Sequence, residues 1–160
     1  MPKPVTPLLA ADVIIELTDF PDCPIVLIER ANPTNNLAIP GGVVDLGEIV
    51  KQTPVREAQE EVGLDVHLIA LLGIYSDPSR DTRGHTVTAV YVAEAAGKPV
   101  TTDNAKNYHS FSLNELPESL AFAHAQMLAD YKKDREICQV AQLHDNPVQV
   151  SGNSNRCVIH

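Results

Sequence analysis

The segment Thr53-Pro54-Val55-Arg56-Glu57-Ala58-Gln59-Glu60-Glu61-Val62-Gly63 constrains this chain more tightly than any other stretch. Thr53 is an N-cap residue type, Pro54 suits the first helical position, and Gly63 is the residue that closes a helix at C′. A helix is therefore expected over residues 54 to 62. With Glu57 set at zero, Glu61 falls at about 40° and Glu60 at about -60°, so three carboxylates share one face. Val55, Ala58 and Val62 fall at about 100° to 160°. The helix is expected to bury that apolar side and to present the three charges outward together.

Like charges three and four residues apart destabilise a bare helix by a few tenths of a kcal/mol each, so something should offset them. A hard divalent cation such as Mg²⁺ or Mn²⁺ prefers carboxylate oxygens and keeps open positions for water and phosphate. Bound there, it can polarise a phosphoryl oxygen and lower the pKa of a water. The plain alternative is a solvated acidic face on which Arg56 pairs with Glu60 at i,i+4. The helix alone does not decide between the two.

Around the helix, the chain reads as one α+β domain. Val13–Leu17 and residues 25 to 30 are apolar runs separated by turn residues, as in a hairpin. Residues 65 to 75 and 86 to 95 read as further strands, and 107 to 112 as a weaker one. Residues 33 to 36 and 76 to 85 read as loops, and Pro40-Gly41-Gly42 breaks regular structure. A last helix is expected from about 117 to 134, with Leu120, His124, Met127, Leu128 and Tyr131 on one stripe. Residues 1 to 10, with three prolines, read as an irregular arm, and 136 to 160 as an irregular tail behind a domain of residues 1 to 135.

Composition removes several classes. With 160 residues, 44% of them apolar, the chain can bury one core and is too short for two ordinary domains. It has no apolar run of about 18 residues, so no membrane span is expected, and its start does not resemble a secretory signal. Cys23, Cys138 and Cys157 are odd in number and widely spaced, which fits free thiols in a reducing, cytoplasmic setting. A net charge of -9 argues against wrapping a nucleic acid, but leaves small phosphorylated substrates open if a metal supplies the positive charge.

The carboxylate helix belongs to a longer pattern. Gly42 is followed by five residues, Glu48, seven residues, and then Arg56-Glu57-Ala58-Gln59-Glu60-Glu61-Val62-Gly63-Leu64. Seven fixed identities at ordinary residue frequencies match by chance on the order of 10⁻⁹ per start position. The pattern resembles the box of the Nudix hydrolases, tightly over the box and more loosely over residues 10 to 134. The resemblance implies an α/β/α sandwich with a mixed sheet. It implies Mg²⁺ or Mn²⁺ on Glu57, Glu60, Glu61 and the Gly41 carbonyl, with Glu48 and Arg56 bracing them. Pro54 departs from the family's usual helix start and predicts a later or distorted one, with residues 49 to 53 partly looped.

Outside the box, residues 72 to 85 and Leu120-Ala121-Phe122-Ala123-His124 resemble segments of ADP-ribose pyrophosphatases within that superfamily. Asn104 and Ala123 stand where those relatives carry acids. The resemblance implies hydrolysis of ADP-ribose, or a related nucleoside-diphosphate sugar, to a nucleoside monophosphate and a sugar phosphate. Physically, Arg80 and Arg83 can hold phosphate or stack on a base, and Asp77, Asp81 and Asp103 can accept from ribose hydroxyls, or one of them can serve as an extra metal ligand or base. Surface ion pairing with Asp77 and Asp81 is the alternative for the two arginines. His85 and His124 read as structural. A nucleotide-sanitising (d)NTP pyrophosphohydrolase shares the box, and a non-catalytic nucleotide sensor would carry a damaged one. Relatives that cut ADP-ribose are often homodimers, which is the assembly the resemblance implies.

Overall fold

A computed structural model describes residues 1–30, 37–102, 105, 107–121 and 123–145, with side chains to residue 137. The elements run β1 (Leu8–Leu17), β2 (Ile25–Glu29), β3 (Leu37–Ala38), β4 (Gly41–Val43), a 3₁₀ turn (Val50–Gln52), α1 (Thr53–Val62), β5 (His67–Tyr75), β6 (Thr86–Ala95), β7 (Asn107–Phe111) and α2 (His124–Asp145).

The seven strands form one mixed sheet in which β1 is central. β1 runs parallel to β6 over its whole length, from Leu8 opposite Thr86 to Leu17 opposite Ala95. This pairing extends residues 8 to 10, which were expected to be irregular. The other edge of β1 is shared: Glu16 pairs with Ile25 of β2, and Ala10 to Asp12 pair with β4. β3 lies on β2. The chain therefore crosses from β2 to β1 at Ile39-Pro40, and Pro40 is anchored by a 2.8 Å bond from the Val13 N–H to its carbonyl.

The period-2 alternation of β1 divides the core. Val13, Ile15 and Leu17 join Val26, Ile28, Ala58 and Val62 on the α1 side. Ile14 joins Ile25, Leu27, Met127, Leu128 and Tyr131 on the α2 side. The sheet thus lies between the two helices, the α/β/α arrangement expected.

Three helix features depart from expectation. Thr53 is not an N-cap: α1 starts out of the 3₁₀ turn with no side-chain cap, and the Thr53 hydroxyl instead serves Glu48. The distorted start predicted from Pro54 takes the form of that turn. Val55, assigned to the buried side, is 38% exposed, while Ala58 and Val62 are fully buried. α2 begins at His124, not near 117, because Leu120 bridges Leu37 and the Ala121 N–H donates to the Leu37 carbonyl, holding the segment extended. It continues to Asp145, past 134, through ten residues expected to be irregular that contain neither Pro nor Gly. The loop expected at 33 to 36, Asp103 and Asn104, and the tail from 146 lie outside the described residues.

Candidate active site

Arg56 is the hub of the box. Its Nε donates to Glu48 Oε1 at 2.9 Å and its Nη2 to Glu48 Oε2 at 3.1 Å, a two-pronged pair. Its Nη1 donates to Glu57 Oε1 at 2.7 Å and to Glu60 Oε2 at 3.4 Å. Glu48 also accepts the Thr53 hydroxyl at 2.7 Å and the Asp45 N–H at 3.0 Å. The Arg56 bonds, helped by Thr53 and Asp45, hold the Glu48 carboxyl down to about 2. Glu48 is thus a fixed anion, Arg56 is oriented by it, and Glu57 is oriented by Arg56.

The three helix carboxylates divide. Glu57 and Glu60 turn toward Arg56, whereas Glu61 is buried, correcting the expectation of three outward charges. The reason is the adjacent turn: the Gly41 N–H needs an acceptor and finds Glu61 Oε2 at 3.0 Å. Burial pushes the Glu61 carboxyl up to about 8; Glu57 and Asp12 raise it further, against the Gly41 amide and Arg30. The Glu57 carboxylate lies so close to Gly42 that a Cβ there would overlap Oε1.

Glu61 and Gly41 open into a cleft of about 490 Å³, also lined by Asp12, Arg30, Arg80 and His124. Arg83 lines it as well. Arg80 is braced on β6, where its Nη2 donates to the Thr86 carbonyl at 3.1 Å and the Thr88 hydroxyl at 2.6 Å. Arg83 makes the ion pair considered from sequence, with Nε and Nη2 on the two oxygens of Asp81 at 3.0 and 2.8 Å. That pairing lowers the Asp81 carboxyl. Asp77 does not pair with either arginine but accepts the Ser79 N–H and hydroxyl.

Two acids in the apolar run of β1, Asp12 and Glu16, were not singled out from sequence. Asp12 is 5% exposed and lies opposite Gly41. Burial pushes it up to about 7, against Arg30 and Arg80, with Glu57 adding to the rise. A charged residue inside an otherwise apolar strand was the available signal. Arg30, just past β2, had no local signal.

The donor set suits a hard cation: carboxylates and one peptide carbonyl, with two carboxyls raised by burial and by neighbouring acids that a divalent charge would lower. Among the described residues, no three His, Cys, Asp or Glu side chains are already gathered as one ligand group, and Arg56 holds Glu57 and Glu60. Glu61, Asp12 and Gly41 line the cleft itself, and the Glu57 carboxylate stands beside it against Gly42, so these are the groups that could hold the ion.

A mixed sheet between two helices, with this brace beside the cleft, is the arrangement of a Nudix-type pyrophosphatase. The NUDIX domain model matches residues 7–131, and the chain belongs to that family. Its members generally use divalent metal ions. The chain is 42% identical over 130 residues to an ADP-ribose pyrophosphatase of Methanocaldococcus jannaschii, covering 79% of this chain and 74% of that protein. It is 31% identical over 130 residues to the ADPR responsive transcriptional repressor NtrR of Acinetobacter baylyi, covering 77% of this chain but only 52% of the repressor. Among solved structures, a MutT/nudix family protein from Enterococcus faecalis superposes with a TM-score of 0.72 at 26% identity, over 86% of this chain and 64% of that one. An ADP-ribose pyrophosphatase from Streptococcus suis superposes with a TM-score of 0.66 at 25% identity, over 81% and 92%. Among the described residues, no helix is long and apolar enough to cross a membrane.

Proposed function

We propose that the protein hydrolyses the diphosphate of ADP-ribose, or of a closely related nucleoside-diphosphate sugar, to AMP and a sugar phosphate in a reaction dependent on Mg²⁺ or Mn²⁺. The observation that carries this reading is one cleft lined both by the box, through Gly41, Gly42 and Glu61, and by Arg80 and Arg83 of the 76 to 85 loop. The relative at 42% identity named for the same activity supports it.

In this reading Glu57, Glu60, Glu61 and the Gly41 carbonyl hold the metal, which when bound polarises a phosphoryl oxygen and acidifies a water. Glu48 and Arg56 keep Glu57 in place. Arg80, braced by Thr86 and Thr88, and Arg83, braced by Asp81, draw the diphosphate into the cleft. Asp103, outside the described residues, is assigned to the ribose on the sequence alone. Water oxygen forms the new P–O bond, and the bridging P–O bond of the diphosphate breaks. The substrate is a free small molecule, with neither nucleic acid nor membrane as partner. The same reading makes the protein a cytoplasmic homodimer, which light scattering would check.

The test is a screen of purified protein with Mg²⁺ or Mn²⁺ against ADP-ribose, other nucleotide sugars, dinucleoside polyphosphates and dNTPs. AMP should appear from ADP-ribose; pyrophosphate released from a dNTP would instead indicate a sanitising enzyme. Binding of ADP-ribose without turnover would indicate a sensor. Glu60→Gln and Glu61→Gln should each lower kcat by about 10²–10⁴-fold with the fold intact, as loss of a positioned carboxylate does. Near-wild-type turnover by either variant would remove that residue from the metal set.

A further inference from the structure

His124 is the first residue of α2 and is 3% exposed, yet its ring serves the turn between β3 and β4. Its Nδ1 accepts the Ile39 N–H at 2.9 Å, across 85 residues of sequence. An accepting Nδ1 carries no proton, so the proton of the neutral ring lies on Nε2. That atom faces Asp12 Oδ2 at 3.5 Å. Asp12 in turn packs on Gly41 so closely that a Cβ there would overlap Oδ1 and the Asp12 backbone.

The turn is consequently gripped by three bonds at two peptide groups, 38–39 and 40–41. His124 takes the Ile39 N–H, Val13 donates to the Pro40 carbonyl, and Glu61 takes the Gly41 N–H. Two of those three grips are side chains that line the cleft. The 40–41 peptide plane is thereby held on one side of Gly41, and the pairing of Gly42 with Ala11 holds the other side, so the two together direct the Gly41 carbonyl.

We propose that His124 is a positioning residue: by holding the Ile39 amide, with Asp12 selecting its Nε2–H tautomer, it sets the Gly41 carbonyl and hence the affinity of the site for a divalent cation. This rests on the metal reading of the previous subsection and gives the 120 to 124 segment a role in the site. Partners behind metal ligands tune affinity in this way.

The experiment measures Mn²⁺ binding by calorimetry on the metal-free full-length protein, without substrate, alongside kcat and KM for ADP-ribose. An asparagine Oδ1 can occupy the place of Nδ1, whereas a glutamine amide reaches the Nε2 position and leaves the Ile39 N–H unserved. His124→Asn should therefore bind Mn²⁺ close to wild type, and His124→Gln should bind ~10–100-fold more weakly, the range for a lost supporting partner. KM for ADP-ribose should stay unchanged at saturating Mn²⁺ in both. Equal affinities in the two variants, whether strong or weak, would overturn the proposal, because bulk or general packing would not order them this way. If either variant fails to fold, the ring ¹⁵N resonances of wild-type His124 decide: the Nε2–H tautomer supports the proposal and the Nδ1–H tautomer overturns it. A wild-type protein that binds no Mn²⁺ would sink the metal reading and this inference together. Wild-type binding with an unaffected His124→Gln variant would sink this inference alone.

Discussion

Gly42 is not among the glycines with positive φ, so its need for a missing side chain is one of space. The Glu57 carboxylate occupies the position its Cβ would take. Gly42→Ala should therefore push Glu57 off Arg56 without straining the backbone. We expect kcat to fall by about 10²-fold, as a misplaced catalytic group does, with little change in thermal midpoint. Unchanged turnover would show that the Glu57 position does not matter. Glu48 makes a pH prediction. Its folded pKa lies below its ordinary value, about 2 against 4.5, because Arg56 and Thr53 favour the charged form. The stability it contributes is thus complete above 4.5 and is lost as pH falls toward 2. Glu48→Gln should flatten the acid limb of stability across that window in denaturant titrations at low salt. An unchanged limb would mean that other carboxylates carry it.

At the scale of elements, α1 was legible because its signals are local. Pro54 near the start, Gly63 at the end and the spacing of the glutamates all lie within one short stretch. The contact between Glu48 and Arg56 was expected only through the resemblance to the Nudix box, not from the residues themselves. What was not legible depends on pairings between distant segments: the extension of β1 to Leu8 needs β6, and the late start of α2 needs Leu37. His124 read as structural for the same reason, since its partner amide is 85 residues away. The burial of Glu61 follows from the Gly41 amide, which helical periodicity does not see. Gly63 itself carries the element-scale prediction. Its φ is 64°, and a Cβ there would lie 2.5 Å from Val100 Cγ2. Gly63→Ala should destabilise by about 1–2 kcal/mol through the left-handed backbone alone, with the Val100 contact adding to it. In a Val100→Ala background the loss should shrink toward the backbone part. A loss of the same size in both backgrounds would remove the steric contribution.

For the whole molecule, the question is what fixes α2 on the sheet. Asp12 and Glu16 stand four apart on β1, on the same face, and both look toward α2. His124 faces the first, and the Tyr131 hydroxyl donates to Glu16 Oε1 at 2.7 Å, with Arg135 Nε 3.6 Å from the same oxygen. Between these polar points the contact is apolar, through Ile14, Met127 and Leu128. The apolar surface supplies the attraction but tolerates sliding, whereas two buried acids four residues apart accept only one helix register. The tethers differ in consequence: the Asp12 end borders the cleft, and Glu16 is two strand repeats further along and does not line it. Tyr131→Phe keeps the ring and removes the donor, leaving a buried carboxylate oxygen short of a partner. We expect a loss of about 1–3 kcal/mol in unfolding free energy, the desolvation of an unserved group. Turnover of ADP-ribose should remain near wild type, because His124 still grips the turn. A drop in kcat with unchanged stability would mean that the two tethers are coupled through α2, and that the helix transmits strain from one end of β1 to the other.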